Sequence, residues 1–233
     1  MSANLVPSTL GTELSAARAQ SPPPGQTVTF PQTPIYAQGV LVAAVVSPGV
    51  APYASARVGL GEQFELGLTY TGRAARVDAR RSWSWDHVSL SLGVGASYIF
   101  YGDSSGAALP NVDVDSIQGF GADIPILIGW ESRARIFMAW AGIRGGFDHA
   151  GISDTSGTEY PGPASAPYAG PTELNANRFY GGGLVGAAAG FRHVHVALEF
   201  DAAYQTVSGR FFTTNASVSG VSLSPGAALW IDF

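Results

Sequence analysis

The side chains that could do chemistry in this chain are ionisable residues that recur at every second position within otherwise apolar segments. Acidic and basic members occur in comparable number. A charge withdrawn from water must be paired, because an unpaired one costs several kcal/mol. We therefore predict a salt-bridged, water-containing interior that stiffens the fold, with a narrow polar conduit or ligand pocket as the alternative. Besides His87, the predicted set is Arg57, Glu65, Arg76, Asp78, Arg80, Asp123, Arg135, His195, Glu199 and Asp201.

Two arrangements could support catalysis. His87 and Ser89 share a face and resemble the His-x-Ser motif of outer-membrane lipid A deacylases, which would imply a general base beside a nucleophile. The pairs Asp86–His87 and Asp148–His149 are similar to the Asp–His couple of ten-stranded omptin proteases. Asp86 falls at a predicted short turn, on the wrong rim for such a cleft. We interpret these residues as ordinary polar positions and predict no enzymatic activity.

Metal ions, cofactors and nucleic acids receive no support from the sequence. His193 and His195 lie near one acid, Glu199, whereas structural metal sites use three or four ligands of suitable type. The net charge of −5 offers no basic stripe that could neutralise phosphates. Cysteine is absent, which suits an oxidising compartment.

The elements that must position these residues are β-strands. Alternation of apolar with small or polar residues is clearest over 87–101 and repeats over 64–71, 116–131 and 194–205. A period of two is typical of strands whose two faces meet different surroundings. In the first segment the apolar face comprises Val88, Leu90, Leu92, Val94, Ala96, Tyr98 and Phe100.

Composition indicates what the apolar faces meet. Only 12% of the residues are charged, about half the fraction usual in soluble domains. No segment approaches the roughly 18–20 apolar residues of a membrane-spanning helix. A closed β-barrel is the other structure that satisfies its backbone within lipid. Aromatic residues near the predicted strand ends fit the girdles of such barrels.

The spacing of turns predicts the topology. Short turns near 61–62, 84–86, 131–132 and 192–193 alternate with longer connections near 47–51, 71–73, 103–113, 150–175 and 210–216. The predicted fold is all-β, a closed antiparallel up-and-down transmembrane β-barrel of about ten strands, with a range of eight to twelve. Residues 1–33, with a short helix around 12–19, are predicted to be a periplasmic tail or lumen insert, and residues 34–233 the barrel.

The last ten residues carry the most specific motif. Gly226, Leu229, Ile231 and Phe233 resemble the C-terminal assembly signal of outer-membrane barrels, in which alternating apolar residues precede a terminal Phe. The resemblance implies recognition by the barrel assembly machinery and location in the outer membrane of a Gram-negative bacterium, with a signal peptide removed. Residues 56–68 are also similar to the recurring hairpin of small outer-membrane-protein-like barrels of proteobacteria and myxobacteria.

These observations favour a structural or envelope-interaction role in the outer membrane. Tyr160 and Tyr168, in the long connection, are predicted to contact a partner. Expected partners are outer-membrane lipids and lipopolysaccharide, the assembly machinery and another envelope protein. The alternative is a porin-like barrel that transports or binds small solutes or hydrophobic ligands, and a surface hydrolase is the third candidate.

Overall fold

The computed structural model describes residues 2–7, 9–20, 33–46, 49–100, 117–152, 173–191 and 193–231. Two short strands and two helices precede nine long strands. The elements are β1 (Ser2–Asn4), α1 (Thr9–Gln20), α2 (Pro34–Val46), β2 (Gly49–Ala51), β3 (Ala54–Gly61), β4 (Phe64–Tyr70), β5 (Ala74–Trp85), β6 (Val88–Phe100), β7 (Ile117–Glu131), β8 (Phe137–Ile152), β9 (Leu174–Phe191), β10 (Val194–Phe211) and β11 (Thr214–Ile231).

All strands belong to one antiparallel sheet. From β3 to β11 each strand pairs with its neighbours in the sequence, and the order then continues through β1 to β2. The predicted all-β, antiparallel, up-and-down architecture is therefore confirmed. The sheet has nine long strands and two of three residues, where the turn spacing predicted about ten.

The sheet has two chemically different faces. Along β6 and β7 apolar side chains such as Leu90 and Ile126 are exposed, while the residues between them are buried or half-buried. Leu198 on β10 and Ile231 on β11 are likewise exposed, at 62% and 48%. We call this apolar surface the outer face. The apolar positions are thus exposed, as the alternation predicted, and they do not pack between two sheets.

Both helices pack against the opposite face, which we call the inner face. Residues 39–46 of α2 are all buried, and they form one core with α1 and with inner-face residues of β6 to β11. The helix predicted around 12–19 is observed as α1. Strands were predicted from residue 34 onward, but they begin only at β2, because residues 34–46 form α2. Pro34 is the first residue of this helix. The short apolar run that follows has no periodic pattern that would distinguish a helix from a strand. Neither helix of the described residues has the length and apolar character needed to cross a membrane.

The turns divide into two rims. The turns between β3 and β4, β5 and β6, β7 and β8, and β9 and β10 lie at one rim together with the end of β11, and we call it the short-turn rim. The turns between β4 and β5 and between β10 and β11 lie at the other rim, together with the ends of β6 and β8 and the beginnings of β7 and β9. We call it the long-loop rim. The connection expected at 210–216 is a tight turn at Phe212 and Thr213, because Arg210, Phe211 and residues 214–216 belong to strands.

The two ends of the strand order lie close together in the chain. β2 ends at Ala51 and β3 begins at Ala54, so only Pro52 and Tyr53 separate them. β2 pairs with β1, and Ser2 of β1 pairs with Gly226 of β11. The chain from 49 to 61 therefore connects β11, through β1, with the strand that pairs with β4.

Candidate functional site: an ion-pair belt on the inner face

One row of paired residues crosses the inner face from β3 to β11. Charged or polar residues in this row alternate with glycine on most strands. The side chains in and beside the row form two clusters of ion pairs joined by the ring of Tyr180, and we call the whole set the ion-pair belt. In strand order the row is Arg57, Gly67, Asp78, Gly95, Asp123, Gly146, Tyr180, Gln205 and Gly220.

Asp78 is the centre of the β3–β5 part of the belt. Its side chain is fully buried and contacts three arginines. Nη1 of Arg57 donates to Oδ1 at 2.9 Å and Nη1 of Arg76 donates to Oδ2 at 2.6 Å. Nε of Arg80 lies 3.2 Å from Oδ1. Glu65 adds a second acid, 3.7 Å from Arg57.

Asp123 connects this cluster with β8. Arg76 donates to both of its carboxylate oxygens, from Nε at 2.8 Å and from Nη2 at 3.0 Å. Nε of Arg144 donates to Oδ2 at 2.8 Å. Arg76 therefore bridges two buried aspartates, and such bidentate geometry fixes the planar guanidinium in place.

The third part of the belt lies on β8, β9 and β10. Nε of Arg178 donates to Oδ2 of Asp148 at 2.8 Å, and Nη1 donates to Oε1 of Gln205 at 3.4 Å. The ring of Tyr180 lies between two guanidinium groups, with its centroid 4.6 Å from Arg178 and 5.8 Å from Arg144. This cation–π contact joins the Asp148 and Asp123 clusters.

The glycines of the row make space for these side chains. A Cβ atom on Gly95 would lie 2.3 Å from Nη2 of Arg76 and 2.5 Å from Oδ1 of Asp123. A Cβ on Gly67 would lie 2.6 Å from Asp78, and one on Gly146 would lie 2.5 Å from the hydroxyl of Tyr180. Glycine inside a strand marks close approach of another group, and here that group is an ion pair.

Six of the predicted interior residues come together in the belt: Arg57, Glu65, Arg76, Asp78, Arg80 and Asp123. Arg135 does not join them, and its prediction is wrong. It lies in the turn between β7 and β8 with φ of 52°. Its side chain is 78% exposed and 3.8 Å from Glu131. Arg135 lies before β8, which begins only at residue 137, so strand alternation does not apply to it.

The remaining predicted residues share the inner face but lie nearer the short-turn rim. Nε2 of His195 is 3.0 Å from the backbone oxygen of Arg135, and its ring contacts Trp230. Glu199 accepts a hydrogen bond from Nε1 of Trp140 at 2.8 Å. Trp140 and Trp230 therefore face inward and do not belong to an outer aromatic girdle. Asp201 lies two positions beyond Glu199 on the same face of β10.

Arg144, Arg178, Tyr180 and Gln205 were not among the predicted residues, and Asp148 was considered only as half of an acid–histidine pair. All five lie at inward positions of β8, β9 and β10. Counting every second residue back from Ala150 on β8 and forward from Ala176 on β9 would have found four of these five, all except Gln205. The glycine-rich composition of 181–190 hid this alternation.

The proposed acid–histidine couple on β8 is not formed. Asp148 faces inward and pairs with Arg178, whereas His149 faces outward. There its Nδ1 lies 2.9 Å from Oδ1 of Asn177, and its ring stacks on Phe120. Adjacent strand residues point to opposite faces, so their side chains cannot act on one substrate atom.

The remaining candidate groups lie outside the belt. His87 is 3.5 Å from Asp86 and 3.4 Å from Nε of Arg133, at the short-turn rim. The described residues contain no group of three potential metal ligands. A pocket of about 480 Å³ opens at the long-loop rim, beside the ion pair between Arg210 and Glu173, and includes no belt residue.

The C-terminal motif is described in part. Leu229 and Ile231 lie on the outer face, 65% and 48% exposed, and Gly226 pairs with both β10 and β1. Phe233 lies outside the described residues, as do Tyr160 and Tyr168 of the predicted partner loop.

Comparison with known proteins adds no relative to these observations. The chain matches no protein-family model, no curated protein and no solved structure.

Proposed function

We propose that this chain is a closed, membrane-spanning β-barrel of the outer membrane of a Gram-negative bacterium, with a structural or envelope-interaction role and an interior that is closed to solutes. The observation that carries the proposal is the contrast between the two faces of one sheet. The outer face is apolar and exposed, and the inner face holds the helices and the ion-pair belt.

The outer face has almost no charge. Along the nine long strands, the outward positions within the described residues include only two side chains of Asp, Glu, Lys or Arg: Arg81 and Arg210. Arg81 lies towards the short-turn rim on β5, and Arg210 lies at the long-loop rim on β10. A sheet surface of this kind in water would be a very large exposed apolar patch, which is rare in soluble monomers.

The apolar part of the outer face has the height of a bilayer core. On β9 it extends from Phe179 to Phe191, and on β10 from Val194 to Tyr204. At ~3.3 Å per residue these stretches are about 40 Å and 33 Å long. With strands tilted by about 45°, they span roughly 28 Å and 23 Å along the membrane normal, close to the ~25 Å apolar band of outer-membrane barrels.

Polar residues begin sharply beyond this band. Outward positions towards the long-loop rim change to Gln118, Asn177 and Ser208. Aromatic rings lie at the boundary, where the half-buried Phe147 contacts the exposed Phe120 and Phe179. Such a ring row fits a membrane interface, which aromatic side chains prefer.

Closure is supported by the two ends of the strand order. The chain from 49 to 61 pairs with β1 through β2 and with β4 through β3, and β1 pairs with β11. Terminal strands that are consecutive in the chain favour a sheet that curls round on itself. Closure also removes open strand edges, which lipid does not tolerate.

The inner face supports a closed interior and a role without catalysis. The apolar, buried helix α2 covers the half of the inner face near the long-loop rim. The belt crosses the middle of the same face. The belt carboxylates of Asp78, Asp123 and Asp148 are each paired with arginine. The proposed partners are outer-membrane lipids and lipopolysaccharide, the barrel assembly machinery and another envelope protein.

Two measurements on the refolded full chain test the proposal. In a gel-shift comparison of boiled and unboiled samples in detergent, a closed barrel is expected to migrate at a different position before boiling. In planar bilayers the inserted protein is expected to be electrically silent, because α2 and the belt fill the interior.

The two measurements test different parts of the proposal, the membrane barrel and the closed interior. Unchanged migration, together with full proteolysis in the presence of vesicles, would overturn the membrane barrel. Steady unitary currents would leave the barrel in place but reject the closed interior, and they would favour the transport alternative.

A further inference from the structure

Arg81 is a charged side chain surrounded by apolar side chains on the outer face. It points outward from β5, where its guanidinium carbon lies 5.2 Å from the ring centroid of Phe64 and 5.1 Å from that of Trp83. Its nearest outward neighbour on β6 is Leu92. None of the described acidic residues lies within ion-pair distance of Arg81. The two rings fix the direction of the guanidinium but supply no counter-charge.

The sheet is low on the β4 side of Arg81, whereas β6 on the other side has 13 residues. β3 and β4 have 8 and 7 residues, whereas β9, β10 and β11 each have 18. From Phe64 to Tyr70 the outer face of β4 is about 20 Å long, or roughly 14 Å along the normal at a tilt of about 45°. On the β4 side of Arg81 the apolar band is therefore about half as high as that on β9.

We infer that Arg81 binds the phosphate of a phospholipid in the leaflet at the short-turn rim, at a place where the adjacent low wall of β3 and β4 thins the bilayer. This inference rests on the proposed membrane location. A bilayer accommodates a short apolar surface by thinning, which brings headgroups towards the level of Arg81. A guanidinium and a phosphate form paired hydrogen bonds.

The ligand is an anionic phospholipid. A zwitterionic headgroup carries its own cation, which competes with Arg81 for the phosphate, whereas phosphatidylglycerol does not. A basic side chain near an anionic surface gains about 1 kcal/mol, which corresponds to an affinity ratio of about five. We therefore expect a local preference of about fivefold for phosphatidylglycerol over phosphatidylcholine.

The absence of cysteine from the sequence allows a local measurement. Ala79→Cys places a bimane label on the outer face next to Arg81, and Ala187→Cys places the same label on β9. The labelled full chain is reconstituted in phosphatidylcholine vesicles that contain brominated phosphatidylglycerol or brominated phosphatidylcholine. Quenching of each label then reports the lipid in contact with that part of the wall.

At residue 79 the expected fivefold preference for phosphatidylglycerol is lost in Arg81→Gln and retained in Arg210→Gln, the matched control at the other rim. At residue 187 both lipids are expected to quench equally. The inference is overturned if the preference at residue 79 persists in Arg81→Gln or is lost in Arg210→Gln. It is also overturned if the label at residue 187 shows a preference for phosphatidylglycerol. Absence of quenching by either lipid at both labels would instead reject the membrane location itself.

Discussion

Along the inner face, the half near the long-loop rim is apolar and the middle is charged, and the change occurs within one step of the alternation. On β8 Ala150 belongs to the helix-packed core and Asp148 to the belt, and on β9 Ala176 and Arg178 are divided in the same way. The apolar half is stabilised by many interchangeable contacts. The belt is stabilised by specific pairs, so removal of one member leaves its partner buried and unpaired.

The largest expected effect is that of Asp78→Asn. It leaves Arg80 without its buried counter-charge and Arg57 with only Glu65, at 3.7 Å. Loss of one partner of a buried pair costs about 3–5 kcal/mol. Urea unfolding of the detergent-folded chain, followed by tryptophan fluorescence, measures the change in free energy of unfolding. Asp86→Asn is the control, because the side chain of Asp86 is 85% exposed.

A second variant keeps this result interpretable. Adding Arg80→Gln to Asp78→Asn removes the cation that has lost its carboxylate partner and is expected to restore part of the lost stability. A loss below about 1 kcal/mol for Asp78→Asn, the range of a surface pair, would contradict the description of the belt as a buried network.

Leu41→Ala tests the apolar half. Leu41 is fully buried in the helix-packed core, and such truncations cost about 2–5 kcal/mol, depending on how far the site collapses. Ile35→Ala, on the same helix at a 43% exposed position, is expected to change stability by less than about 1 kcal/mol. Equal losses for the two variants in the same unfolding assay would show that α2 is not packed against the sheet.

Gly95→Ala tests whether the row glycines serve the belt. The new Cβ would meet both Arg76 and Asp123, and such overpacking typically costs about 1–3 kcal/mol. Gly181→Ala is the control, since a Cβ there meets nothing within 4 Å. A destabilisation of the same size in both variants would attribute the effect to strand propensity.

The smallest effect is expected for Arg135→Gln. Its side chain is mostly exposed and its single ion pair, with Glu131, is long. Exposed substitutions of this type change stability by about 0.5 kcal/mol or less. A loss in free energy of unfolding as large as that of Asp78→Asn would contradict the exposed position of Arg135 and support its place among the interior charged residues.

How much could be predicted from the sequence differs between strands and helices. On β6 and β7 the alternation gave the correct faces, because each side chain's surroundings follow from its parity alone. On β8 and β9 glycine and alanine occupy many positions of both faces, so Arg144 and Arg178 were missed. The run 39–46 has no polar residue to mark a period, and its helix could not be distinguished from a buried strand.

The sequence by itself determined which residues are apolar, which are charged and on which face of a strand each lies, since that depends only on the two-residue period. Tertiary structure decided which charges meet. Asp123 lies 47 residues from Arg76 and 21 from Arg144 in the sequence, and they become neighbours through the register of β5 to β8. Register is set by the whole sheet, because a shift of one residue would move every charge to the other face.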